Sequence, residues 1–140
     1  NKRHDDAIRW LQQSLSVDKK QPGLAMILAR LQVEKGRVPA AIDTLQRTLP
    51  EAQERADYLA FLAALHQREA HHKEAADLYR HALKMTPGNA VWWMGLGISL
   101  QDDGRAQEAL DAFSRAKSAG GLSPDLLAFV EQKILQINAK

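Results

Sequence analysis

The 140-residue sequence contains no cysteine, which excludes disulfide bonds and thiolate chemistry. It has no excess of one charge, since 19 lysines and arginines stand against 17 aspartates and glutamates. A nucleic-acid binder normally carries a concentrated basic field, so we expect no nucleic-acid partner. No apolar run is long enough to span a membrane, and the longest strongly apolar stretch, Ala90–Leu100, holds two glycines.

Motifs of catalysis are also missing. Gly95 and Gly97 fall inside a helical pattern rather than a phosphate-binding loop, and no serine has a motif that would activate it. Asp102 and Asp103 lie at a predicted helix end, without the burial that tunes a catalytic pKa. We therefore predict no catalytic residue, no cofactor and no small-molecule substrate, and we expect that the protein is not an enzyme.

Three histidines, His71, His72 and His81, raise the question of a metal site. His81 does not follow either of the others at the four-residue spacing with which helical histidines chelate a metal. We predict a solvated polar turn at His71 and His72, and no metal.

The sequence does contain a pattern that repeats every 34 residues. When Ala56–Asn89 is written above the residues from Ala90 onward, leucine, alanine and aromatic residues fall in the same columns. The matched pairs are Leu62 with Leu96, Ala63 with Gly97, Ala75 with Ala109, Tyr79 with Phe113 and Ala82 with Ala116. A fixed period of this length is typical of stacked supersecondary units, which mostly present a surface to partners.

Each unit has the pattern of two amphipathic helices joined by a short turn, because apolar residues recur at spacings of three and four. Helices are predicted over residues 3–17, 22–35, 38–49, 52–70, 72–85, 89–103, 106–118 and 124–138. We expect one domain over 1–140, with a half unit at 1–21, units at 22–55, 56–89 and 90–123, and a capping helix at 124–140. Because the sequence begins in mid-pattern, we expect it to be a fragment of a longer protein.

This pattern resembles the tetratricopeptide repeat family. The family signature is a bulky residue, Leu-Gly and an aromatic residue in the first helix, followed by Ala, an aromatic residue and Ala in the second. The third unit matches at Trp93, Leu96, Gly97, Gly104, Ala109, Phe113 and Ala116. The resemblance implies an all-α fold: a right-handed α-α superhelix of helix-turn-helix repeats with a C-terminal capping helix. It also places Trp93 in the core.

A shorter stretch, running from Trp92 to Gln132, is similar to the C-terminal region of bacterial proteins of mannose-sensitive haemagglutinin (MSHA, type IV) pilus biogenesis. Such proteins have an N-terminal membrane anchor and a periplasmic repeat domain. The resemblance implies a role in pilus or secretion-apparatus assembly at the periplasmic side of the inner membrane, with the membrane anchor outside this fragment. The composition fits a cytoplasmic location equally well.

In a stack of this kind, the first helix of each unit lines a concave face, and the residues beside its core positions line a groove. That row is mostly apolar and includes methionines, which adapt to irregular partners. It suits an amphipathic helix or an extended apolar peptide, so we predict a protein or peptide partner, with Arg30, Gln67 and Gln101 setting its register. The predicted partner-binding residues are Met26, Arg30, Val33, Ala60, Ala64, Gln67, Val91, Met94, Ile98 and Gln101, and Gln132 and Leu135 extend the row.

Other interpretations stay open. The row could pack against a segment of the chain that precedes Asn1, or be ordinary surface. The domain could instead be a homo-oligomerisation module, with residues 1–21 or the last helix pairing with another copy, or an accessory domain of a larger envelope protein or enzyme. Trp92 is predicted to pack at a seam between units, with an exposed recognition role as the alternative.

Overall fold

The chain, in a computed structural model that describes residues 2–18 and 20–139, folds into α-helices joined by short turns. The helices are α1 (Lys2–Val17), α2 (Pro22–Glu34), α3 (Val38–Thr48), α4 (Ala56–Arg68), α5 (His72–Met85), α6 (Ala90–Asp102), α7 (Ala106–Ala119) and α8 (Pro124–Asn138). A 3-10 turn, Leu49–Glu51, follows α3, and no strand occurs in these two ranges. The predicted all-α class is confirmed.

Helices that follow one another in the chain are also neighbours in space. The most extensive contacts join α6 to α7 and α4 to α5, followed by α2 to α3 and, to the same extent, α5 to α6, and α3 also contacts α4. At the two ends, α1 packs on α2 and α8 packs on α7. α2, α4 and α6 begin at the first residues of the predicted units, although the division into domains itself stays a prediction.

The turn inside each pair uses a residue with a left-handed backbone. Gly36 (φ 75°), Ala70 (φ 62°) and Gly104 (φ 79°) occupy equivalent positions, 34 residues apart. The N–H of the next residue donates to a carbonyl oxygen in the last turn of the first helix, as Arg105 does to Leu100 at 2.9 Å. This bond satisfies an otherwise unpaired carbonyl and ends the helix.

Small residues bring the two helices of each pair close together. The buried small residues are Ala29, Ala63 and Gly97 on the first helices and Ala41, Ala75 and Ala109 on the second. A β-carbon added at Gly97 would lie 2.8 Å from Cδ1 of Phe113, whose ring is fully buried. The distance between α6 and α7 is therefore set by the absence of a side chain at Gly97.

α4 starts later than the sequence indicates. The helix predicted over residues 52–70 begins at Ala56. Before it, Pro50 lies in the 3-10 turn, and the N–H of Ala52 donates to the carbonyl oxygen of Leu49 at 2.9 Å. This bond spans three residues, so it closes a tight turn instead of starting an α-helix. The prediction took the helical pattern through a segment that is in fact a connection.

We predict that Gly97→Ala lowers the free energy of unfolding by about 1–3 kcal/mol, because the new methyl group enters space filled by the Phe113 ring. Gly23→Ala in α2 is the matched control, since its β-carbon meets nothing within 4 Å and should leave stability unchanged or raise it by about 0.5 kcal/mol. Urea denaturation followed by circular dichroism measures both changes. Equal effects of the two substitutions would show that helix distance is not set at Gly97.

Candidate functional site

The predicted partner-binding residues follow one side of α2, α4 and α6, in columns that recur every 34 residues. Arg30 and Val91 are exposed, Val91 to 49%. The half-buried members are Val33, Ala64, Gln67, Met94, Ile98 and Gln101. We call this row, with its direct neighbours in space, the inner face. It is a partly open and mostly apolar surface, and its role in binding stays a prediction.

Met26 and Ala60 are less accessible than the sequence indicates, with 7% and 5% of their surface exposed. Met26 belongs to a buried cluster that includes Ala29 and Tyr58. Ala60 belongs to a second buried cluster, around Leu59. The predicted exposure of these two positions is therefore corrected, because a 34-residue column gives the direction of a side chain and not its distance from the next helix.

Gln67 makes hydrogen bonds within the fold. Its Nε2 donates to the carbonyl oxygen of Gly95 at 2.9 Å and to the hydroxyl of Ser99 at 2.8 Å. Ser99 is fully buried, so Gln67 supplies a polar partner to a hydroxyl that has no access to solvent. These hydrogen bonds connect α4 to α6, a structural role of Gln67 that the sequence did not predict.

Sequence reasoning missed two apolar residues of the inner face. Ile27 is 50% exposed and Phe61 is half-buried. The guanidinium carbon of Arg30 lies 5.8 Å from the centre of the Phe61 ring, within the range of a cation–π interaction. Ile27 and Phe61 share a column with Gly95, which Gln67 contacts from α4. The 34-residue alignment places Ile27 and Phe61 in one column, but the column also contains Gly95, so it does not have the uniform apolar pattern that predicts a binding surface.

The inner face ends on α8 with a second cation over a ring. Nζ of Lys133 lies 5.4 Å from the centre of the Phe129 ring. Phe129 and Lys133 occupy the columns of Gly95 and Ser99, one repeat later. Of the two residues expected to extend the row, Gln132 is exposed and Leu135 is 70% exposed.

Two clefts open on the side of the second helices, where the sequence predicted none. A cleft of about 660 Å³ lies between α5 and α7, and Leu83, Leu96 and Leu100 are among its lining residues. An equivalent cleft of about 550 Å³ lies between α1 and α3 and is lined in part by Leu28. In the middle unit, the half-buried Leu78 packs against the core at the corresponding position.

Trp93 packs against the main core cluster and also lines the larger cleft, so it is less enclosed than the predicted core position implies. It is half-buried, and its indole N–H donates to the carbonyl oxygen of Pro87 at 2.7 Å. The guanidinium carbon of Arg115 lies 5.3 Å from the centre of its ring. The polar end of an indole needs an acceptor, and the loop before α6 provides one. Trp92 is half-buried and packs against the main core cluster.

In the histidine turn, His71 is exposed and His72 is half-buried. Nδ1 of His71 lies 2.9 Å from Nδ1 of His66, and Nδ1 of His72 is buried without a hydrogen-bond partner. Residues 2–18 and 20–139 contain no group of three or more side chains placed to hold a metal ion. None of the helices there is long and apolar enough to cross a membrane.

Two sequence-family models match the chain, both described as tetratricopeptide repeat, one over residues 1–65 and the other over residues 58–124. No curated protein matches it at a significant level.

Among solved structures, the chain is similar to the crystal structure of MamA, with a TM-score of 0.83 at 19% identity over 96% of this chain and 76% of that chain. A MamA from Desulfovibrio magneticus RS-1 gives a TM-score of 0.78 at 14% identity, over 97% and 80% of the two chains. The Yersinia enterocolitica type III secretion chaperone SycD, in complex with a peptide of the translocator YopD, gives 0.74 at 18% identity, over 82% and 90%.

These similarities establish the fold. The predicted superhelix of helix pairs is confirmed. None of the three structures bears on the resemblance to pilus biogenesis proteins, which stays a prediction.

We predict that Gln67→Ala lowers the free energy of unfolding by about 1–2 kcal/mol, because it leaves the buried Ser99 hydroxyl without its donor. Gln101→Ala is the matched control: Gln101 is half-buried in the same column, and its loss should change stability by less than about 0.5 kcal/mol. Thermal and urea unfolding of both variants gives the comparison. The proposed tie between α4 and α6 is wrong if the two losses are equal.

Proposed function

We propose that this chain, which belongs to the tetratricopeptide repeat family, is a scaffold that binds a partner polypeptide along its inner face. The observation that carries the proposal is a row of partly exposed apolar side chains that continues across α2, α4 and α6. A continuous row of partly exposed apolar side chains is typical of a site for another molecule. The main members of the row are Ile27, Val33, Phe61, Ala64, Val91, Met94 and Ile98.

The expected partner is an amphipathic helix or an extended apolar peptide. Its apolar side chains would contact Met94 and Ile98, where a methionine adapts to irregular shapes. Arg30 at one end of the inner face and Lys133 at the other are cations on aromatic rings, and each can pair with a polar group of the partner. Gln67 would contribute little, because its amide is already bonded to Gly95 and Ser99.

A relative of the same fold supports this mode of action. The chaperone SycD was solved with a peptide of the translocator YopD bound. By this analogy the present chain would recognise a segment of a protein rather than a small molecule or a nucleic acid, and would act without catalysis or a cofactor.

The cellular process proposed is bacterial pilus or secretion-apparatus assembly. Two observations support it: the resemblance of residues 92–132 to pilus biogenesis proteins, and the fold shared with a type III secretion chaperone. The location proposed with this process is the periplasmic side of the inner membrane, and the cytoplasm is the alternative.

Self-association, or service as an accessory domain of a larger envelope protein, is the second candidate. Large apolar side chains are exposed at both ends of the array: Trp10 to 61% on α1 and Leu135 to 70% on α8. Either residue could be covered by another copy or by a further segment of the same protein. Light scattering over a range of concentrations separates a self-associating chain from a monomeric binder.

We predict that Ala64→Glu reduces partner binding at least ten-fold, because it buries an unpaired carboxylate at the centre of the apolar row. Ala106→Glu is the matched control, since Ala106 is exposed at the start of α7, away from the inner face. A random peptide library displayed on phage is selected against the unaltered chain. Binding of the selected peptides to the chain and to both variants is then measured by calorimetry.

Selected peptides should bind the Ala106→Glu variant as tightly as the unaltered chain and bind the Ala64→Glu variant weakly. Circular dichroism should show that both variants remain folded. Peptides that bind the Ala64→Glu variant with full affinity would place the site elsewhere, and the two clefts near the second helices would then be the next surfaces to test.

A further inference from the structure

Three side chains at the junction between α3 and α4 are connected in series by hydrogen bonds, and the first of these bonds crosses the junction. Nε2 of Gln46 in α3 lies 2.8 Å from Nε2 of His66 in α4, and Nδ1 of His66 lies 2.9 Å from Nδ1 of His71, which precedes α5. His66 is only 5% exposed. Among successive helices in the described part of the chain, α3 and α4 have the sparsest packing against each other. Where few apolar contacts hold two helices together, a polar contact makes up a larger share of the interaction between them.

In this series of hydrogen bonds, each acceptor nitrogen already receives an N–H, so an additional proton must displace an existing hydrogen bond. The amide nitrogen of Gln46 only donates, so Nε2 of His66 accepts, and Nδ1 of His66 carries the proton that it donates to His71. A further proton on His66 must bind Nε2, and this atom already faces the N–H of Gln46. Protonation of His66 therefore breaks that hydrogen bond or forces the Gln46 amide to turn over.

The charges around His66 are few. On the side of α5 the titratable neighbours are His71 and Glu74, and on α3 the charged residues Asp43 and Arg47 pair with each other at 3.1 Å. Burial, followed by the charge of His71, lowers the pKa of His66 from its ordinary value of 6.5, while Glu74 opposes the shift. An unfolded chain thus takes up this proton at a higher pH than the folded one. Acidification below pH 6.5 therefore lowers folded stability until the folded chain also binds the proton.

We propose that His66, through its hydrogen bond to Gln46, is an acid-sensitive switch that loosens the junction between α3 and α4. Two contacts remain when His66 is protonated: the Tyr58 hydroxyl donates to the carbonyl oxygen of Leu45 at 2.6 Å, and the buried cluster around Tyr58 is apolar. The junction therefore bends without unfolding, and α2 with α3 changes its orientation relative to the helices that follow.

The bend reaches the inner face. The contact between Arg30 on α2 and the Phe61 ring on α4 spans the same two units, so it changes when the junction moves. Mild acid thereby alters the alignment of the first unit with the second on the surface proposed to bind a partner. The switch acts on the shape of the array and operates whether or not a partner is bound.

Single-molecule energy transfer tests the switch, and the absence of native cysteine makes site-specific labelling simple. The labels are placed at Gly23→Cys in α2, where a side chain meets nothing within 4 Å, and at Ser118→Cys, exposed near the end of α7. Between pH 7.5 and pH 5.5 the mean transfer efficiency should change reversibly, with a midpoint below pH 6.5, while circular dichroism shows that the helices persist.

His66→Leu should abolish the change, because leucine is the residue found in the same column at Leu100. Gln46→Ala, at an exposed position, removes only the hydrogen bond that crosses the junction, and it should also abolish the change if His66→Leu fails to fold. His81→Gln is the matched control and should keep the full response. A constant transfer efficiency between the two pH values, or an equal response in His66→Leu, would overturn the proposal.

Discussion

The close approach of the two helices in each pair is the constraint on which the rest of this structure depends. Alanine or glycine stands where the helices meet, and at Gly97 even a methyl group would enter the ring of Phe113. Backbones this close need large side chains beside the contact, and Tyr79 and Phe113 fill that space in successive units. One pair alone cannot bury these rings, so each pair must pack on the next, and the array follows.

Because each pair packs mainly on its neighbours, the interior divides into local clusters that can differ in chemistry. The column of Gln32, His66 and Leu100 shows this. Gln32 accepts a hydrogen bond from the Thr44 hydroxyl at 2.8 Å, His66 uses Gln46, and Leu100 lies among apolar residues. A polar residue is tolerated at this depth wherever the adjoining helix supplies a partner, so one position can be structural in one unit and responsive to pH in the next.

The sequence predicted the repeat and its stacking, but it missed individual side-chain contacts and distances between neighbouring units. Helix class and the turn at Gly104 could be predicted, since they follow from local periodicity and from the backbone freedom of glycine. The hydrogen bonds of Gln67 could not, because they require Ser99, which lies on the next unit and has no distinctive motif. The exposure of Met26 and the clefts near the second helices likewise depend on distances between helices, which a column alignment does not contain.

The residues of the inner face can vary from unit to unit because few of them are needed for the packing of the helices. Arg30, Ala64 and Ile98 share one column, yet they differ in size and charge, whereas the neighbouring column of Ala29, Ala63 and Gly97 stays small throughout. The fold therefore provides a surface, and under the proposed function the variable column would determine what binds to it. Gln67 marks the limit of this freedom, since a side chain that ties two helices together is no longer available to a partner. In the proposed complex, the middle of the inner face would supply apolar contact, and the cations that lie over aromatic rings at its two ends would contact polar groups of the partner.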